Sequence, residues 1–303
     1  MKPISFVIIT YNRPDDALEL ARNISTLDGL DELVEEVVIV NNRSTASYEA
    51  LETFIAAHQA IPFRYVVAPE NLGVSRGRNY AISLSKAQIL FFLDDDALLR
   101  NKDALRYILP IFEGEGPRPV GIAAFKVYYA STGEMQINAF PHKRFAEFKD
   151  TPHFDAAYFS GAAHAIRRSV FEQVGVYPEN FFYGMEEYDL SYRALNAGYS
   201  IRYDHRVTIL HKESPAGRLT PKEKLRGMWI NKSKVAWKYL PLPYFLTTAL
   251  LWSLEYVKKS GGNIGGFFKG WGQIVGIPGA EKRAPVGKAA TAYLRRVKAR
   301  LWY

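Results

Sequence analysis

An α/β fold on an open, mainly parallel sheet flanked by helices is predicted by three features of the first hundred residues. Short runs rich in β-branched and aromatic residues recur at 4–10 (ISFVIIT), 35–41 (EEVVIVN), 63–68 (FRYVVA) and 88–93 (QILFFL). They alternate little between apolar and polar positions, which suits strands covered on both faces. Helix-like segments at 14–27, 48–58 and 74–85 fill the gaps between them. Strand, helix, strand, helix is the order of a doubly wound sheet.

Each element has a local reason. Pro14 sits where a first helical position favours it, and Asp15 and Asp16 suit the positive end of the helix dipole. Beyond residue 100 the Gly/Pro stretch EGEGPRP precedes strand-like runs at 120–129 (VGIAAFKVYY), 163–168 (AHAIRR) and 199–204 (YSIRYD). One strong helix, 187–197, is closed by Gly198. From about residue 222 the chain turns basic, aromatic and helical, interrupted by SGGNIGG at 260–266. No internal repeat or low-complexity tract is visible.

With 303 residues, 48% hydrophobic and 14% aromatic, the chain can bury a large core. It has no cysteine, which excludes disulfides, thiolate nucleophiles and Cys-based zinc sites, and fits a reducing cytoplasm. The N-terminal apolar run is too short for a signal peptide. Residues 240–257 (LPLPYFLTTALLWSLEYV) contain two prolines and a glutamate, and are expected not to span a membrane. The net charge of +8 is unevenly placed: from Thr220 onward there are 16 Lys and Arg against 3 acidic residues, leaving the rest acidic. That basic quarter points to an anionic partner, a membrane surface or nucleic acid.

In doubly wound sheets ligands bind beyond the carboxyl ends of the strands. The rule singles out the loops TYNRPDD (10–16), NNRST (41–45) and DDDA (94–97). Three adjacent carboxylates after a buried strand repel one another and need positive charge beside them. In near-extended chain Asp94 and Asp96 point one way and Asp95 the other. Paired carboxylates of this kind suit Mg²⁺ or Mn²⁺, ions held together with substrate phosphates. Solvated loop charge, or caps for the helix that follows, is the plainer account of an isolated triplet.

The second cluster is YGMEEYDLSYRALNAG, 183–198. Glu186, Asp189 and Arg193 share a helix face, Asp189 can pair with Arg193, and first-turn acids satisfy the helix N-terminus. Glu187 points elsewhere, beside Phe181, Phe182 and Tyr183, where a carboxylate can act as general base. NLGVSRGRN (71–79) brings Gly73, Gly77, Arg76 and Arg78 to a strand-to-helix junction, a place where glycine and arginine can meet an anion. His211, in TILHKES, can serve as a metal ligand.

In this order the stretches FVIITYNRP, VVIVNNRST, NLGVSRGRN, FLDDDA, FSGAAHAIRRSVFEQVG, EEYDLSYRALNAGY and VTILHKES resemble the inverting glycosyltransferase family 2, over about residues 4–215. The resemblance implies a GT-A fold, Rossmann-like, with a nucleotide-sugar-binding half at 1–100 and an acceptor-binding, catalytic half at 101–215. A basic helical extension follows at 216–303. It implies Thr10, Tyr11, Arg13 and Gly73 beside the nucleotide, Asn41 and Asn42 near base and ribose, and Arg78 near base or diphosphate. Asp94 would face the ribose, with Asp95 beside it, while Asp96, Asp94 and His211 would hold Mn²⁺ or Mg²⁺. Glu187, or Glu186, would be the base, with Asp189 in the same catalytic cluster, and Ser160, Gly161 and Ala162 would face the acceptor. Asn41 stands where the family often has Asp, and Glu187 where it usually has Asp. The implied donor is a UDP- or dTDP-linked hexose. The implied acceptor is a glycan or lipid-linked glycan of bacterial surface polysaccharide, as for rhamnosyltransferases.

At the C-terminus, Tyr293 or Leu294, Val297 and Leu301 form a helical stripe ringed by Arg295, Arg296, Lys298 and Arg300. Such a pattern suits an anionic membrane surface, making the protein cytoplasmic and peripheral on the inner face of the membrane, or packing against the protein itself. A nucleotidyltransferase would want a glycine-rich loop after the first strand, and TYNRPDD has none. A non-enzymatic nucleic-acid binder leaves DDD and EEYD without purpose, and an acidic cleft repels phosphate backbones.

Overall fold

The computed structural model describes residues 1–114, 116–215 and 220–301. Its sheet has nine strands: β1 Ile4–Thr10, β2 Val34–Asn41, β3 Phe63–Val67, β4 Ile89–Asp94, β5 Ala97–Leu99, β6 Val120–Tyr129, β7 His153–Ala156, β8 Ala163–Arg167 and β9 Ser200–His211. Their order is β3-β2-β1-β4-β8-β6-β9-β5, with β7 beside β9. The first four strands pair in parallel, as their crossover helices Pro14–Ser25, Glu49–Ala57 and Gly73–Leu84 require. The later strands join through antiparallel pairs, except β6 with β9.

The chain leaves β1 toward β2 and β3, then returns to place β4 on β1's other flank. The switch point therefore lies between the carboxyl ends of β1 and β4, where Ile9 pairs with Asp94. Along β1, Phe6 and Ile8 enter one core while Val7 enters the other, and Phe91 and Phe92 of β4 divide in the same way. This alternation is what a sheet with both faces covered demands. β3 departs from it: as the edge strand it is only partly covered, and Val67 is exposed. The expected run at 199–204 proves to be the start of a longer strand, β9, which extends to His211 and whose pairing with β6 shifts register between Phe125 and Lys126.

The basic region is helical, with Pro221–Tyr239, Leu242–Lys259, Ile264–Ala280 and Lys288–Arg296. The boundary drawn at 216 falls outside the described residues. Thr220 and Glu223 form a capping box that starts the first of these helices. Trp229 on it is fully buried and donates to Ala249 O at 2.9 Å. Tyr293, Leu294 and Val297 are buried too, so the expected terminal stripe packs on the protein. The Tyr293 hydroxyl donates to Ala156 O at 3.0 Å and accepts from Ile201 N at 3.2 Å.

The helix Ile264–Ala280 meets Trp229 at Gly270, where an added Cβ would overlap the indole ring. Gly270→Ala should therefore lower stability in chemical denaturation by about 1–3 kcal/mol, the usual range for overpacking. Gly276→Ala on the same helix, with open space around it, should cost nothing.

Candidate active site

Strand ends and helix starts bring the site together. Thr10 ends β1, with Tyr11 and Arg13 after it, and Asp94 ends β4, with Asp95 and Asp96 after it. β5 pairs with β9 so that Ala97 faces His211, which carries the imidazole to Asp96. Asp94 N donates to Ala162 O at 3.0 Å and so holds the Ser160–Gly161–Ala162 loop against the carboxylates. Glu186 and Glu187 open the helix Glu186–Asn196. A cavity of about 1080 Å³ is lined by Thr10, Tyr11, Arg13, Asp94, Asp95 and His211 on one side, and by Gly161, Glu186 and Glu187 on the other.

Arg78 is the hub. Its guanidinium donates to Asp94 Oδ1 at 3.1 Å, Glu186 Oε1 at 3.2 Å, Glu187 Oε1 at 3.3 Å and Gly161 O at 3.0 Å. This buried side chain, expected near base or diphosphate, lines the cavity and joins the two acidic clusters that the sequence shows as separate. Arg13 does the same for the rest of the triplet, reaching Asp95 at 2.7 Å and Asp96 at 3.3 Å. Part of the positive charge the triplet requires is thus arginine. Asp95 and Asp96 lie in the turn after β4, beyond the strand's strict alternation, and one arginine reaches both.

Asp94, Asp96 and His211 each offer a ligand atom, all within 4.8 Å of one another, and form a group that could hold a metal ion. His211 Nδ1 lies 2.9 Å from Gln136 Oε1, an acceptor, so a neutral ring turns its Nε2 lone pair toward Asp96. That Nε2 is buried 3.3 Å from Asp96 Oδ1, as fits a donor set built for a cation. Burial disfavours a charged ring here, but Asp96 and Asp94 outweigh it and raise the His211 pKa. A cation and that proton compete for one place.

The glutamates differ. Both line the cavity, but the Glu186 side chain is 3% exposed and that of Glu187 14%, so Glu187 is the more open to it. Gly161 must be glycine for this carboxylate to sit there, because a Cβ would overlap Glu187 Oε1. Burial, then the neighbouring Glu187 charge, pushes the Glu186 pKa up to about 8.

Two of the expected residues sit away from the cavity. Asp189 is buried on the helix face turned toward Pro221–Tyr239, where it is bonded by Arg193, Lys238 and the Tyr239 hydroxyl. Asn41 does not line the cavity either. Its Oδ1 accepts from Ser44 N at 2.8 Å and its Nδ2 donates to the Tyr65 hydroxyl at 2.7 Å, which shapes the loop after β2. Asn42 does line it, and grips the 71–73 loop through Leu72 N and Gly73 O. Gly73 has φ +68°, with Phe182 2.7 Å from where a Cβ would stand, so glycine is required there. Sequence reasoning missed Gln136, which carries no motif, and His164, which is buried and fixed between Ser160 O and the Tyr177 hydroxyl.

A Rossmann-like sheet with paired acidic clusters at its switch point defines the class, that of GT-A glycosyltransferases. The chain belongs to glycosyl transferase family 2, whose model matches residues 5–175. An uncharacterized protein of Haemophilus influenzae is 27% identical over 58% of this chain and 92% of its own length. The O-antigen chain rhamnosyltransferase WbaN of Salmonella anatum is 25% identical over 53% of this chain, and the chain spans about half (51%) of that relative. Among solved structures, the mannosyltransferase PcManGT of Pyrobaculum calidifontis, in complex with GDP-Man and Mn²⁺, superposes with TM-score 0.59 at 17% identity, covering 98% of this chain and 79% of its own. TarS of S. aureus (residues 1–349), in complex with UDP-GlcNAc, gives 0.62 at 15%, covering 96% and 83%.

The raised pKa of Glu186 fixes a sign. Between its ordinary 4.5 and about 8 the folded chain keeps a proton that the unfolded chain has lost, so stability falls as pH rises through that window. Glu186→Gln should remove this slope. In the presence of a chelator, its melting temperature relative to wild type should climb from pH 5 to pH 8, whereas a constant difference would contradict the assignment.

Proposed function

We propose that this chain moves a hexosyl unit, with inversion, from a UDP- or dTDP-linked donor to a hydroxyl of a glycan or lipid-linked glycan in bacterial surface polysaccharide assembly. The observation that carries the reading is one cavity with Asp94 and His211 on one wall, Asp96 buried beside them in the same ligand group, and Glu187 on the other wall, where Arg78 ties it to Asp94. Mn²⁺ or Mg²⁺ held by Asp94, Asp96 and His211 would neutralise charge developing on a leaving diphosphate. Glu187 takes the proton of the acceptor hydroxyl as its oxygen bonds to the anomeric carbon. The bond from that carbon to the diphosphate oxygen breaks on the opposite face, so a single displacement inverts the centre. Arg78 orients Glu187, while Tyr11, Asn42 and Gly73 line the nucleotide side.

Calorimetric titration with UDP and dTDP in Mn²⁺ or Mg²⁺ tests the donor side, and product analysis tests transfer. Asp96→Ala should lose cation-dependent nucleotide binding. Glu187→Gln should keep it and lose about 10²- to 10⁴-fold in transfer. Normal transfer by Glu187→Gln would put the base elsewhere.

We also propose that the chain is cytoplasmic and docks on the inner, anionic face of a membrane. No helix among the described residues is long and apolar enough to cross one. The support is an exposed row, Leu242, Leu246, Leu250 and Leu254, at helical spacing, with Ile264, Phe268 and Val275 exposed on the next helix and Lys258, Lys259 and Lys269 close by in sequence. A lysine near an anionic surface contributes about 1 kcal/mol and a buried leucine about 2, so the apolar rows decide the outcome. Full-length protein should sediment with phosphatidylglycerol vesicles at low salt, and Leu246→Asp with Leu250→Asp should abolish this. Wild type left in the supernatant would refute the docking.

A further inference from the structure

The cavity runs on past Glu187 into a second chamber between the sheet and the C-terminal helices, lined by Lys143, Tyr158, Tyr188, Lys232, Trp252 and Arg300. Tyr188 follows Glu187 in the chain, and its ring stacks on Tyr158 at 4.6 Å. The two ammonium groups sit against this pair, Lys143 5.2 Å from the Tyr158 centroid and Lys232 5.8 Å from that of Tyr188. Lys232 also lies 4.4 Å from the Trp252 ring. Lys259 lines the same chamber and pairs with Glu255 at 3.2 Å. Neither Lys143 nor Lys232 has an ion pair or hydrogen bond among the described residues.

Lys232 is half-buried, with the exposed Lys143, Lys259 and Arg300 around it, and gathering like charges in this way opposes folding unless something offsets it. The aromatic faces recover a part, each cation–π contact contributing about 0.5–2 kcal/mol. Burial first, then the charges of Lys143, Arg300 and Lys259, push the Lys232 pKa down to about 7. The donor end of the cavity already has its own counter-charges, Arg13 and Arg78 among the carboxylates. The lysines stand apart from that acidic end, against the Tyr158 and Tyr188 rings, and Tyr188 follows Glu187 in the chain.

We propose that this chamber is an anion subsite in which Lys143 and Lys232 hold a phosphate or diphosphate group of the acceptor, so that the acceptor is a phosphorylated glycan or a glycan joined to lipid through diphosphate. The inference rests on the transferase reading and names its acceptor class. Ammonium groups suit a phosphate as point charges, and the Tyr158–Tyr188 stack gives the adjoining sugar a flat apolar wall.

The probe is inorganic pyrophosphate, titrated calorimetrically into the full chain with EDTA present and no nucleotide. Wild type and Asp96→Ala should bind it alike. Lys143→Gln/Lys232→Gln should bind about tenfold or more weakly, with UDP binding in Mn²⁺ unchanged. Its melting temperature should hold or rise, because a repulsion has been removed, whereas a merely structural pair would lower it. Equal pyrophosphate binding by wild type and the double variant overturns the subsite. So does loss of binding to phosphatidylglycerol vesicles in the double variant when wild type does not bind pyrophosphate, since the lysines would then serve the bilayer. Failure of UDP binding in Mn²⁺ by wild type would instead defeat the transferase reading and leave the pyrophosphate result standing by itself.

Discussion

Burying a guanidinium alone would cost several kcal/mol, and Arg78 is buried with carboxylates on two sides. Neither side would be tolerable without it. Asp94 ends a strand whose preceding residues are all buried, and Glu186 lies in the first turn of a helix beside another glutamate. By bonding both, and the carbonyl of Gly161 between them, Arg78 sets the spacing of two walls that come from parts of the chain about ninety residues apart. The hydrogen-bonding fork matters here as much as the charge. A lysine could neutralise one carboxylate but could not span the same four acceptors with fixed geometry.

Much of this was legible in the sequence because each signal was local. Strand runs, the proline at a helix start and the glycine after its end act over a few residues, and the observed elements fall within a few positions of the expected ones. The DDD triplet and the EE pair were legible too, because carboxylates at element ends are conspicuous. What escaped was pairing at a distance. Asp189 and Glu186 share helical spacing, and only the position of the helix Pro221–Tyr239 sends one into a salt-bridge network while the other stays by the cavity. Asn41 and Asn42 are adjacent and alike, yet the chain turns between them, so that one shapes its own loop and the other grips a neighbouring one. Gln136 stands 75 positions from the histidine whose tautomer it sets.

The C-terminal quarter shows how composition can mislead about position. Aromatic and basic residues there suggested one surface, but they divide between two tasks. Trp229, Tyr256 and Tyr293 extend the core of the sheet's second face, and the helices they anchor wall off the inner chamber of the cavity. The leucine row on Leu242–Lys259 faces away from that core. Hydropathy alone cannot tell these roles apart, since both need apolar residues at helical spacing.

Tyr293 has one more implication. Its phenol closes the backbone bonding of Ile201 and Ala156 near the start of β9, and β9 ends at His211. A chain shortened ahead of Lys288 would open a ring-sized void under the sheet and strand a peptide N–H in it. Trimming what looks like a dispensable tail would thus loosen, from its far end, the strand that steers the imidazole.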